Sequence, residues 1–165
     1  MVEQLVQYEQ LPAATRLWIY QSNRPFSEAE AAEIQEQVRE FVGQWVSHNR
    51  ALRAFGDVYY HRFVVLMVDE TQAGASGCSI DKSVYFLKDL AARFQIDLFD
   101  RMRFSYQDAA GRVHTLDRDA FARAYQEGHI DDHTLVFDTL VDNKADFDKA
   151  FRKPLGESWH ARLVG

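Results

Sequence analysis

Apolar and polar positions along the chain switch between two periods, and the switches mark its elements. From Thr15 to Gln21 the chain is rich in aromatic and β-branched residues and lies between Pro12 and Pro25, which predicts a strand. The period then becomes helical. Ile34, Val38, Phe41, Val42, Trp45 and Val46 recur on one face, with Glu36, Arg39, Glu40 and Gln44 opposite. Ser27 and Glu30 have capping-box spacing at the start, and the helix is expected to end near Ser47 or His48. Two strands are expected next, Leu52 to Phe55 and Val58 to Val68, with Gly56-Asp57 as the hairpin turn between them. Phe63 to Val68 is apolar without a break, the pattern of a central strand covered on both faces.

A loop of small and polar residues is expected over 69–79, then a mostly buried helix from about Ile80 to Phe94, starting at Ser79 or Asp81. A hairpin pairs Phe104 to Gln107 with Arg112 to Thr115. Asp117 caps a third helix with Phe121, Ala124 and Tyr125 inward and Gly128 just past its end. Thr134 to Val141 reads as a strand and Lys144 to Phe151 as a short helix. Hairpins rather than regular crossovers join many of these strands. The predicted fold class is therefore α+β: a mostly antiparallel or mixed sheet with about four helices packed on it. One domain over 1–165 is expected, with a ββαβ subdomain at 103–141.

Composition narrows the function classes. The chain has 165 residues, 47% hydrophobic and 27% charged, the balance of a globular protein. A single Cys excludes a disulfide framework and an all-Cys metal site. A net charge of −6 disfavours nucleic acid and anionic membranes as partners. The longest apolar run is far shorter than the ~20 residues of a spanning helix. Met1-Val2-Glu3-Gln4 has no basic or apolar leader character, so a cytoplasmic location is expected.

Two stretches invite a nucleotide reading. Phe63 to Glu70 is an apolar run ending in Asp69-Glu70, like a Walker B strand, and Ser76 to Ser83 looks like the end of a phosphate loop. The complete pattern needs glycine where Ser76 and Asp81 stand, and Asp81 would repel phosphate. The two motifs also come in the wrong order. No nucleotide hydrolysis and no cofactor are expected.

Arg62-Phe63 through Asp69-Glu70, Ser76 through Val84, Phe99-Asp100-Arg101 and Ser158-Trp159-His160 resemble a family of small uncharacterised bacterial proteins. Members are sometimes labelled "ABC transporter ATPase". With no intact phosphate loop and no L-S-G-G-Q signature, the resemblance implies a family without implying that activity. Residues 104–137 also resemble the GYF-type peptide-binding domain, through Tyr106, the helix after Asp117, Gly128-His129-Ile130 and Thr134 to Phe137. The Gly-Pro dipeptide of that pattern is absent, since Val113-His114-Thr115 stands there. That resemblance implies a peptide-binding module.

The candidate site is the loop at 74–83. Helix N-termini present unpaired amides and partial positive charge, so Cys78 there could be a nucleophilic thiolate. Against this, Ser79 or Asp81 could cap the helix, with Cys78 as a small apolar residue. Asp69, Glu70, Asp81 and Lys82 are expected to gather around one polar mouth, and with Ser76, Gly77 and Ser79 to bind a small ligand or a protein partner without catalysis. A thiol enzyme using Cys78 is the alternative; none of the six His can be placed beside it from sequence. His129 and His133 have metal-ligand spacing, but Gly128 ends the helix that would align them, and no metal is expected.

Overall fold

The computed structural model describes residues 6–165; Met1-Val2-Glu3-Gln4 lies outside them. The described residues form an α+β fold with three antiparallel sheets. The first sheet has the order β1 (Arg16–Gln21), β5 (Phe63–Asp69), β4 (Arg53–Tyr59). Strand β5 lies in the middle and every one of its residues is buried. Its alternate side chains feed two cores, as a pleated strand requires. Val64, Leu66 and Val68 pack under helices α1 (Glu28–Gln44) and α2 (Gly77–Phe94). Phe63, Val65 and Met67 face Leu11, Phe137, Phe147 and Phe151 on the opposite side.

Helix α1 opens as its sequence dictates. The Ser27 side chain accepts from the Glu30 amide, and the Glu30 carboxylate accepts from the Ser27 amide. Glu30 also accepts from Arg24, and this partner, then the Ser27 amide, holds its pKa down at about 2. The helix ends at Gln44, earlier than the periodicity suggests, because Trp45 becomes its extended C-cap. Val46 then enters a two-stranded ribbon, β2 (Val46–Ser47) with β3 (Arg50–Ala51). His48 and Asn49 turn that ribbon with φ of 50° and 63°.

The expected turn at Gly56-Asp57 is not there. Arg53 to Tyr59 runs as one strand, and Gly56 lies opposite Leu66 within it. A Cβ on Gly56 would stand 2.5 Å from Val38 Cγ1, so this glycine lets α1 lie close on the sheet. Gly56→Ala is expected to destabilise the protein by about 1–3 kcal/mol through overpacking, read from urea unfolding midpoints; an unchanged midpoint would contradict the close approach. The chain reverses instead at Tyr60 and His61, both left-handed with φ of 55° and 52°. The Arg62 amide donates to the Tyr59 carbonyl at 3.1 Å across this turn.

The second sheet has the order β7 (Val113–Asp117), β6 (Arg103–Gln107), β8 (Leu135–Phe137), β9 (Arg152–Pro154). Helix α3 (Arg118–Gln126) is capped by Asp117 and stops before Gly128, whose φ of 78° suits glycine. Phe104, Phe121, Ile130, Val136 and Leu155 form its core, with Trp159 packed against them. Strand β8 is shorter than the predicted Thr134–Val141, since Asp138 accepts the Leu140 amide and breaks the ladder. Helices α4 (Lys144–Ala150) and α5 (Ala161–Val164) complete the described chain.

Candidate functional site

Strand β5 runs through Asp69, and α2 begins at Gly77 with Ser76 as its N-cap, so the loop is shorter than 69–79. Ser76, rather than Ser79 or Asp81, accepts the free amide, that of Ser79. Gly77 needs no special conformation, and a Cβ there would meet nothing within 4 Å. Cys78 is an exposed free thiol in the first turn. Ser79 is buried; its hydroxyl donates to the Ser76 carbonyl, and its own carbonyl accepts from Trp45 Nε1.

The four charges do different things. Asp69 is buried, accepts from the Thr71 amide and hydroxyl, and lies 3.6 Å from Arg53 Nε. Glu70 accepts from the Ala75 amide and lies 3.9 Å from Arg16. Asp69 and Glu70 thus staple the loop. Asp81 and Lys82 are exposed on α2 and form no ion pair among the described residues. Helix α2 itself is only half buried, with Tyr85 65% exposed, because just one face meets the sheet. His129 pairs with Glu127 beyond the end of α3. Among the described residues no cluster of three or more His, Cys, Asp or Glu could hold a metal ion. Nor is any described helix long and apolar enough to cross a membrane.

A second location has chemistry that sequence reasoning missed. A cleft of about 470 Å³ is lined by Pro25, Phe26, Tyr60, His61, Arg62, Gly111, Arg112, Val113 and His114. It lies between the β4–β5 turn and the β6–β7 hairpin. Arg62 is only 5% exposed, yet among the described residues its guanidinium forms no salt bridge or hydrogen bond, and its Nε is buried without a partner there. Burial lowers the Arg62 pKa from its ordinary value. An arginine remains protonated in proteins, so this is a largely buried cation with no counter-charge among the described residues.

The surroundings fix the Arg62 backbone. Its carbonyl accepts from the Ser22 amide at 2.8 Å, and the His61 carbonyl accepts from the Phe26 amide at 2.7 Å. Left-handed φ at Tyr60 and His61 costs on the order of 1 kcal/mol or more each, since neither is glycine. The Tyr60 ring is held edge-on to Phe137 at 4.8 Å. On the far wall, His114 stacks on Tyr106 and its Nε2 lies 2.7 Å from the Asp108 carboxylate. That contact, then the Arg112 amide, lowers the Asp108 pKa.

A third cluster is closed. His160 is 1% exposed, its Nδ1 lies 2.6 Å from Ser158 Oγ, and its ring stacks on Trp159 at 3.8 Å. Trp159 Nε1 donates to Asp138, which also pairs with Lys153 at 2.8 Å. Burial, opposed by Asp138 and helped by Lys153, lowers the His160 pKa from 6.5 to about 4. The unfolded chain therefore takes up a proton near pH 6.5 that the folded chain refuses until near pH 4. Between these values the unfolded state binds more protons, so stability falls as the pH is lowered. The expected loss is about 3 kcal/mol by pH 4. Urea unfolding at pH 7 and pH 4.5 should show it, with a shallower fall in His160→Gln; parallel falls would contradict it.

No family model, no curated protein and no solved structure matches this chain.

Proposed function

We propose that this protein is a binding domain for a small anionic ligand, seated in the cleft on Arg62, and that it binds without catalysis. The observation that carries the reading is the Arg62 side chain, almost wholly buried and unpaired among the described residues. A buried charge without a partner is costly, and an anion entering the cleft would supply the missing partner. The strained turn beside it fits the same reading, because strain persists where the surroundings hold a functional geometry. The cleft volume is within the range of small-molecule sites, and its walls join apolar surface to a few polar groups. No carboxylate, thiol, serine or threonine is among the residues lining it, which favours binding over covalent chemistry. In the loop at 74–83 the buried Ser79 is already bonded, its amide to Ser76 Oγ and its hydroxyl to the Ser76 carbonyl.

The test is thermal unfolding of the full chain in acetate, benzoate or inorganic phosphate, with chloride at equal ionic strength as reference. A ligand at a hundred times its Kd stabilises by about 2.7 kcal/mol. In a chain of this size that raises Tm by about 5–10 °C. At least one of these anions is expected to give such a rise in wild type and none in Arg62→Met. No rise over chloride, or an equal rise in the variant, would contradict the proposal.

A further inference from the structure

We propose that a second cleft, walled by aromatic rings along the free edge of β4, binds a small quaternary ammonium compound of the choline type. The proposal does not rest on the anion-binding reading. This cleft has its own volume of about 490 Å³ and shares only Tyr60 with the one at Arg62.

Its walls come from separate parts of the chain. Tyr8 precedes β1, Phe55 and Tyr59 belong to β4, and Phe147 and Phe151 come from α4 and its C-cap. Alternate residues of a strand share a face, so Phe55, Asp57 and Tyr59 set a carboxylate between two rings. The Tyr8 ring lies 5.4 Å from Phe55, and Phe147 lies 5.2 Å from Tyr59, centroid to centroid. Ring faces carry negative potential and attract cations. The chain already uses one of them, since Lys144 Nζ lies 4.6 Å from the Tyr8 centroid.

The charges leave one carboxylate uncompensated. Asp148 accepts from the Tyr8 hydroxyl and pairs with Lys144 at 3.5 Å. The Arg152 guanidinium donates to Gln107 at 2.8 Å. Asp57 is half-buried and accepts only neutral donors, the Gln35 side chain and the Val58 amide, with no ion pair among the described residues. Burial, then Asp57 and Glu9, hold the Tyr59 hydroxyl above its ordinary pKa, so that wall is neutral phenol beside negative charge. A cation in the cleft would supply the counter-charge to Asp57.

The acceptors decide the type of cation. A primary ammonium carries three N–H donors and loses water at each when it is buried. Among the carboxylate oxygens lining the cleft, only Asp57 Oδ2 has no bond to the described residues. A quaternary ammonium has no N–H to satisfy and gains from ring faces and nearby charge instead.

Amide-shift titration of the ¹⁵N-labelled full chain at pH 7 and constant ionic strength tests this. The probes are choline, ethanolamine and neohexanol, the uncharged analogue of choline with carbon in place of nitrogen. Choline is expected to shift the Phe55, Asp57 and Tyr59 amides saturably and to bind at least about fivefold more tightly than either other probe. Asp57→Asn removes the charge and keeps an acceptor, and Tyr59→Leu removes a ring; each is expected to weaken choline by about fivefold or more. The dispersion of the amide spectrum checks that the variants fold, and if Tyr59→Leu does not, Asp57→Asn decides. No saturable shift with choline, or unchanged affinity in Asp57→Asn, would overturn the site. Equal binding of neohexanol would overturn the cation, and equal binding of ethanolamine would overturn its quaternary class.

Discussion

Arg62→Met is expected to make the ligand-free protein more stable, by about 1–4 kcal/mol. Replacing buried charges with apolar side chains of similar volume commonly stabilises by that amount, even when the charges were paired. Here the guanidinium is unpaired among the described residues, so no hydrogen bond or ion pair to them is lost with it. The methionine can follow the aliphatic stem and fill an irregular gap. Urea unfolding of wild type and variant in chloride buffer gives the difference. A variant less stable than wild type by about 1 kcal/mol or more would mean that the fold itself uses the guanidinium. The expected pattern, gained stability with lost binding, is what a residue kept for function produces.

Trp45→Ala should have the largest effect in the other direction, a loss of about 3–5 kcal/mol. Trp45 is 2% exposed at the C-cap of α1. Its ring packs on Trp18 and Phe41, and Nε1 donates to the Ser79 carbonyl at 2.8 Å. One side chain therefore joins the end of α1 to the first turn of α2. Trp45→Phe keeps most of the apolar contact and loses only the hydrogen bond, so it should cost about 1–2 kcal/mol. Denaturant midpoints for the two variants separate packing from hydrogen bonding. A loss below about 1 kcal/mol in Trp45→Ala would contradict the buried placement.

The elements that could be read from sequence were those encoded locally. Ser27 and Glu30 announce α1, Asp117 and Gly128 bracket α3, and Phe63 to Val68 is too apolar to lie anywhere but between two covered faces. The hairpin turn was misread because its signal was inverted. Gly56 looks like a turn residue but serves the packing of Val38 from α1 across the strand, a contact distant in sequence. The actual turn residues, Tyr60 and His61, lack the Asn or Gly that normally marks a primed hairpin. The start of α2 was placed late because several small polar residues in 76–81 could each have capped it. Ser76 does so.

The Arg62 cleft was hidden for a related reason. Patterning assigns a charged residue at the edge of an apolar strand to solvent, and most such residues are found there. The cleft around Arg62 is walled by Phe26 from one segment and by Gly111 to His114 from another, which are distant in sequence. The one available cue was an arginine directly abutting six apolar residues without an acidic residue nearby in sequence.

The central claim, that Arg62 is an anion site, is tested most directly by the Arg62 Nε–Hε resonance in a ¹⁵N-labelled sample, assigned by its loss in Arg62→Met. Titration with benzoate should shift that resonance saturably as the guanidinium gains a counter-charge, while exposed arginines away from the cleft, such as Arg39 and Arg162, move far less. An Arg62 signal that stays in place as benzoate is added, or that moves only in step with the exposed arginines, would contradict the account.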